Sequence, residues 1–374
     1  MKTRASLLFA LIAALAFAGT ALSQGVPSAG DAGQGSAQAA EFARIMRSHG
    51  IPGAQMVYAH QGTYRPFHYG VLSEASAQEV DDSTLFQAAS LSKVIAAYIA
   101  LQMVDRGQLD LDRPLWDDWH SPRTEGNAAN RKITARMVLN HTTGLPNWQI
   151  SPSDPAIDRT PLSSKFAPGT QFAYSGEGFY LLQKTIEHLT RTPWNELVGR
   201  EVFSRFGMGS SSYLTDPALV ANYSPGHDRQ GVAKAKRVYI RANTAYTLVT
   251  NAHDYNQFIQ RALYKGEGLK PATHRMMFSP SSSADDASLP IPADPFISWG
   301  LGVGIQATSR GKLVWHWGDN PGFKAFFALD PASGDSVILF TNSDNGLSTY
   351  KDVLRLFMGE GDYPAVDWAS AESD

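Results

Sequence analysis

The chain has no cysteine in 374 residues. That absence excludes disulfides, thiolate-ligated zinc, iron–sulfur clusters, a cysteine nucleophile and acylation at a lipoprotein cysteine. Charge is sparse and nearly balanced, with 32 Lys and Arg against 35 Asp and Glu, for a formal net charge of −3. No overall basic footprint points to a nucleic-acid partner, and none is expected. H-E-x-x-H is missing, and the ten histidines do not fall at metal-ligand spacing, so no metal is expected. There is no Walker A sequence. Gly300-Leu301-Gly302-Val303-Gly304 superficially resembles a dinucleotide loop, yet it lies in a strand-like run and opens no helix, so no cofactor is expected either. Ser175 is no nucleophile elbow, because Ala173 and Glu177 stand where G-x-S-x-G needs glycine. What is present is 43% hydrophobic residues, enough for a sizeable core.

The one long apolar stretch is at the start. Lys2 and Arg4 precede an apolar run from Ala5 to about Phe17, and Ala21-Leu22-Ser23 supplies small residues before Gln24. This order reads as a secretory signal peptide over residues 1–23. The alternative is an uncleaved anchor, but the run is short for a span of roughly 20 residues. Cleavage removes two positive charges and no acidic residue, leaving −5. No membrane span is expected in the remainder, and the expected location is the periplasm or the exterior. Residues 24–38 are mostly Gly, Ser, Ala and Gln and are expected to form a flexible leader. The folded domain is expected over residues 39–365.

Phe42, Ile45 and Met46 predict a helix over Ala40 to His49. Ala54–Ala59 and Tyr64–Val71 read as a hairpin about Gly62. Leu91, Val94, Ile95, Tyr98 and Leu101 predict an amphipathic helix from Leu91 to Asp105. Residues 110–290 mix loops with helical segments. After them, 298–306, 313–317, 323–328 and 336–341 read as consecutive antiparallel strands. The expected fold is therefore α+β: an antiparallel sheet built from both chain ends, flanked by helices, with a mainly helical subdomain.

Ser90-Leu91-Ser92-Lys93 is an S-x-x-K element at the start of the predicted helix. Positions i and i+3 share a helix face, so both side chains reach one cleft. A lysine whose pKa is lowered takes the proton from a serine hydroxyl. Such a tetrapeptide occurs by chance about once or twice in a chain this long. Indeed Ser309–Lys312 and Ser348–Lys351 also match, in a hairpin turn and a polar stretch. The competing structural role for Ser90 is a helix N-cap. Tyr174, on the loop before another helix, is a candidate general base if a cationic lysine eases its ionisation. His316, followed by Trp317 and Gly318 at the end of a strand, is a candidate hydrogen-bond donor or proton shuttle.

Taken in order, these elements resemble the penicillin-recognising serine hydrolases, which include class C β-lactamases, D-alanyl-D-alanine carboxypeptidases, D-aminopeptidases and esterases. Phe86–Lys93, Gly107–Leu115, Ile133–Pro146 and Trp315–Phe323 each resemble a family block, and similarity runs from about 40 to 345. The resemblance implies a β-lactamase/transpeptidase-like fold. It implies Ser90 as acylated nucleophile, Lys93 and Tyr174 as proton carriers and His316 at the third-motif position. It also implies an oxyanion hole from the backbone N–H groups of Ser90 and Asp319, next to Gly318. His141 lies in a family block whose role is structural.

Two departures matter. The second motif is usually Tyr-x-Asn, whose asparagine hydrogen-bonds a substrate amide; here it is Tyr174-Ser175-Gly176. Tyr246 stands where the family often has paired glycines and is either a packed aromatic or a partial filling of the cleft edge. The expected activity is therefore an exported, esterase-like serine hydrolase acting on small-molecule ester, peptide or β-lactam substrates. The alternatives are a β-lactamase, a D-Ala-D-Ala carboxypeptidase or D-aminopeptidase, and a non-catalytic cell-wall binding or sensing protein. The charge of Asp319, if turned inward, is expected to favour neutral or cationic acyl groups. Oligomeric state is not legible.

Overall fold

A computed structural model describes residues 29–285, 291–309 and 311–373. The expected signal segment over 1–23 lies outside the described residues. Helix α1 (Ala29–Ser48) buries Phe42, Ile45 and Met46 and stops at Gly50, whose φ is +64°. It starts well before the expected boundary at Ala39, so the C-terminal part of the expected flexible leader is helical. Alanines alternate with the glycines there, and Gln38 is tied to the sheet by Arg65 Nη1 at 3.1 Å.

Strands β1 (Gly53–His60) and β2 (Thr63–Gly70) form the expected hairpin, turned by Gln61 and Gly62, both at positive φ. Next come β3 (Phe86–Gln87) and helix α2 (Ser92–Asp105). Strand β4 (Val249–Thr250) pairs with β3 across the inserted region. The rest follow as β5 (Ser282–Ser283), β6 (Ile297–Trp299), β7 (Gly304–Thr308), β8 (Gly311–Asn320), β9 (Phe323–Leu329) and β10 (Ser336–Thr341). Eight of these make one sheet in the order β2-β1-β10-β9-β8-β7-β6-β5. Its neighbours pair antiparallel, including β1 with β10, so both chain ends build it as expected.

Alternation along each strand divides the interior into two cores. Val314, Ala325, Phe327, Ile338 and Phe340 face α2 and the insert. Trp315, Trp317, Phe326, Val337 and Leu339 face α1 and the C-terminal helices Tyr350–Met358 and Pro364–Ser373. Helix α2 is buried at every residue from Ser92 to Met103, where sequence periodicity suggested one apolar stripe. It runs between sheet and insert, so each side meets protein. The insert contains the helix Gly176–Thr190 and several shorter ones, joined by long loops.

The strand expected over 298–306 is broken at Gly300–Val303. Gly302 has φ +85°, and a Cβ there would lie 2.1 Å from the Ala97 Cβ. The glycines let this turn press against α2, which explains a pattern that superficially resembled a nucleotide loop.

Candidate active site

The residue before Ser90 is strained. Ala89 has φ +47°, a left-handed value that costs a residue with a Cβ about 1–2 kcal/mol. Ser92 holds this turn: its Oγ donates to the Ala89 carbonyl at 2.5 Å and accepts from Leu248 N at 3.1 Å. Ser90 sits on the short 3-10 turn Ala89–Leu91 that leads into α2, and no side chain caps either helix. The N-cap role considered for Ser90 is therefore not the one seen. Its Oγ instead accepts from Lys93 Nζ at 2.9 Å, and Nζ also donates to the Ala245 carbonyl at 2.8 Å.

Lys93 is 1% exposed, and burial pushes its pKa well below the usual lysine value. A neutral amine accepts the Ser90 proton while one of its own N–H bonds still reaches Ala245. Tyr174 lies beside this pair, with Lys93 Nζ 4.9 Å from its ring centroid. Burial pushes its phenol far above the usual value, and the Ser90 hydroxyl pulls the other way. The expected easy ionisation is thus opposed by desolvation, which favours the neutral phenol.

Ser175 caps the helix that follows: its Oγ accepts from Gly178 N at 3.0 Å. His141 braces Tyr174 from behind. The rings stack at 4.3 Å between centroids, and His141 Nδ1 accepts from Ser175 N at 3.1 Å. That bond puts the imidazole proton on Nε2. His141 is fully buried and has no hydrogen bond to Ser90 or Lys93, in line with a structural role.

His316 is also fully buried. Its Nδ1 donates to the Trp317 carbonyl at 2.6 Å, which leaves Nε2 as an acceptor without a partner among the described residues. Burial, then the charge of protonated Lys93, pushes its pKa down to about 3, against the Trp317 bond. Burial thus works against the proton-shuttle role expected near neutral pH and favours the neutral imidazole. Trp317 packs on Tyr174 with centroids 4.6 Å apart.

Gly318 brings β8 against the turn that carries Ser90. A Cβ there would lie 2.4 Å from the Ala88 carbonyl oxygen and 3.2 Å from Ser90 N. Strand alternation then sends the Asp319 side chain to the opposite face, where Lys324 Nζ donates to its Oδ1 at 2.6 Å. The condition set by the sequence reading, an Asp319 side chain turned inward, is not met, and with it goes the argument for neutral or cationic acyl groups. Asn320 returns to the face of His316 and Gly318. Its Nδ2 donates to Gln87 Oε1 at 2.7 Å, and Gln87 Nε2 donates to the Tyr223 hydroxyl at 2.7 Å. This buried network ties β3, just before Ser90, to the end of β8.

Sequence reading missed Asn320, Gln87, the role of Ser92, and Trp148. The Trp148 indole occupies the room beside Gly176, where an ideal Cβ would lie 2.6 Å from Cζ2. Nothing in local spacing signals that contact.

The sequence model of the β-lactamase family matches residues 39–356. A penicillin-binding protein 4 of Amycolatopsis lactamdurans is 22% identical over 337 residues, covering 85% of this chain and 88% of that protein. The esterase EstB of Burkholderia gladioli is 27% identical over 217 residues, 51% of this chain and 54% of its own. A class C β-lactamase structure superposes with a TM-score of 0.75 at 18% identity, covering 88% of this chain and 98% of that one. Fold, matched length and the order of the blocks agree, and the chain belongs to the β-lactamase family of serine hydrolases.

Proposed function

We propose that the protein is an exported hydrolase that cleaves esters in preference to β-lactams and peptides, through an acyl-enzyme on Ser90. The observation that carries this reading is the 2.9 Å contact between Ser90 Oγ and a buried Lys93 amine. Neutral Lys93 takes the Ser90 proton as Oγ attacks the ester carbonyl carbon. The carbonyl oxygen becomes an oxyanion and is held by the backbone N–H groups of Ser90 and Asp319. The Tyr174 phenol passes a proton to the departing alkoxide and recovers one from Lys93. Water then attacks the acyl-Ser90 carbonyl, releases the acid and returns the hydroxyl. His316 offers its Nε2 as a fixed acceptor that orients Tyr174 or substrate. The preference for esters rests on Gly176, which has no side chain to bond a substrate amide. Export rests on the basic, apolar and small-residue order of 1–23; no helix among the described residues is long and apolar enough to cross a membrane.

A serine-reactive fluorophosphonate probe tests the reading. Wild type is expected to be labelled and Ser90→Ala is not. Absence of labelling on the folded wild type would favour a binding protein. Parallel assays with a short-chain ester, nitrocefin and a D-Ala-D-Ala peptide are expected to rank the ester first.

A further inference from the structure

Exposed apolar side chains are concentrated in one stretch of the chain. Among the described residues seven large hydrophobic side chains are exposed, and four of them, Val220, Val232, Val238 and Ile240, fall within 220–240. Ile240 is 90% exposed and Val238 is 67% exposed. Both belong to the segment between Tyr223 and Val249, which has no helix or strand of its own. The segment is nonetheless well anchored. Tyr239, between the two aliphatic residues, is buried. Its N donates to Thr215 Oγ1 at 2.7 Å, its carbonyl accepts from Thr215 N at 2.8 Å, and its hydroxyl donates to Gln87 Oε1 at 2.7 Å. With Tyr239 locked inward, Val238 and Ile240 are the side chains left in water, and they cannot change places with it. Aliphatic groups held out in this way mark an interaction surface.

The charge around them is of one sign. Residues 229–241 carry Arg229, Lys234, Lys236, Arg237 and Arg241 and no acidic residue, in a chain whose net charge is −3. Lys234 is offset by Asp344 at 2.5 Å, and Arg241 by Asp158 at 3.4 Å. Lys236 Nζ donates to the Val220 carbonyl at 3.0 Å, which keeps its positive charge and joins the two exposed stretches. Arg237 is exposed beside it. Asp216, on the facing stretch, turns back on its own backbone and accepts from Ala218 N at 2.8 Å. Aliphatic tips beside basic heads match an anionic lipid interface, where alkyl groups enter the acyl boundary and the cations meet phosphate groups. A soluble anionic polymer would meet the cations and leave Val238 and Ile240 in water. A neutral apolar partner would leave Lys236 and Arg237 unmatched.

We propose that the segment from Lys236 to Arg241, with Val220 beside it, is a docking surface for anionic lipid. A few residues on, the same segment reaches Ala245, whose carbonyl accepts from Lys93 Nζ. Docking therefore holds the Ser90 cleft near the lipid surface, whichever carbonyl compound Ser90 attacks.

The test uses the full chain and its lack of cysteine. Ile240→Cys is labelled with an environment-sensitive nitrobenzoxadiazole dye and titrated with vesicles of phosphatidylglycerol or of phosphatidylcholine. Blue-shifted, brighter emission is expected with phosphatidylglycerol, reversed by high salt, and no change with phosphatidylcholine. The same dye at Glu360→Cys, between the two C-terminal helices, is expected to stay unchanged. That comparison separates docking through this segment from adsorption through the apolar run at 5–17. In the labelled chain, Lys236→Gln with Arg237→Gln is expected to raise the half-saturating lipid concentration about tenfold, and Val238→Ser about threefold. Melting temperature checks that each variant is folded. The two dye positions and the salt dependence decide without further substitution if a variant is not. No shift at position 240 with phosphatidylglycerol, an equal shift at position 360, or half-saturation unmoved in folded variants overturns the proposal. An equal shift with soluble polyglutamate would assign the surface to an anionic polymer and would also overturn it.

Discussion

Ser90 and Ser92 are chemically identical and two residues apart, yet the fold gives them different work. Ser92 spends its hydroxyl on the Ala89 carbonyl and Leu248 N, and so holds a strained turn. Ser90 keeps its hydroxyl for Lys93. Burial pushes all three titratable groups around it, Lys93, Tyr174 and His316, toward their neutral forms. Their pKa directions give two pH predictions. Lys93 has its pKa below that of the unfolded chain, so the unfolded state binds more protons and stability rises with pH through that window. Lys93→Met is expected to cut kcat/KM by about 10³-fold and to flatten the rise in melting temperature as pH climbs toward the ordinary lysine value of about 10.4. His316, with a folded value of about 3 against an ordinary 6.5, contributes stability that is complete above about pH 6.5 and is lost as pH falls toward 3. A denaturant series from pH 7 to 4 is expected to lose on the order of a few kcal/mol, and His316→Gln to remove part of that loss.

Among the elements, β8 does the positioning. Its even-numbered residues, His316, Gly318 and Asn320, share the face that meets the Ser90 turn, and Asp319 faces away to Lys324. Gly318→Ala would put a Cβ against the Ala88 carbonyl, a backbone atom that cannot turn aside. The strand must move, and the N–H groups beside Ser90 move with it. We expect a loss of about 10²–10³-fold in kcat, with fluorophosphonate labelling slowed in parallel. The hairpin, the later strands and the start of α2 were legible in the sequence because helix and strand periods are local signals. Three element-level features were not. The extension of α1 back to Ala29 lies in a Gly- and Ser-containing stretch that carries no apolar stripe. Burial of α2 on every side depends on what packs around it. The break at Gly300–Val303 answers to Ala97, two hundred residues away in sequence.

At the scale of the whole molecule, β10 is the seam. It joins β1 from one chain end to β9 from the other and is buried along its full length. Phe340 on this strand stacks on Phe86 at 6.2 Å and meets Tyr255 edge-on at 6.1 Å. Phe86 lies just ahead of the Ser90 turn, so the seam also braces the candidate site. Phe340→Ala is expected to cost about 3–5 kcal/mol, read as a lower midpoint in guanidinium titration, and to weaken activity before global unfolding begins. The Ser90–Lys93 pair and the family were legible because they rest on i,i+3 spacing and on blocks of contiguous residues. By itself the sequence determined that no thiol chemistry occurs, that Ser90 and Lys93 share a helix face, and that Gly176 carries no side chain. Only the tertiary structure decided that burial pushes Lys93, Tyr174 and His316 toward their neutral forms, that Asp319 turns away, and that Trp148 fills the room beside Gly176. Spacing along one element is fixed by backbone geometry, whereas desolvation and close approach depend on residues brought together from distant parts of the chain.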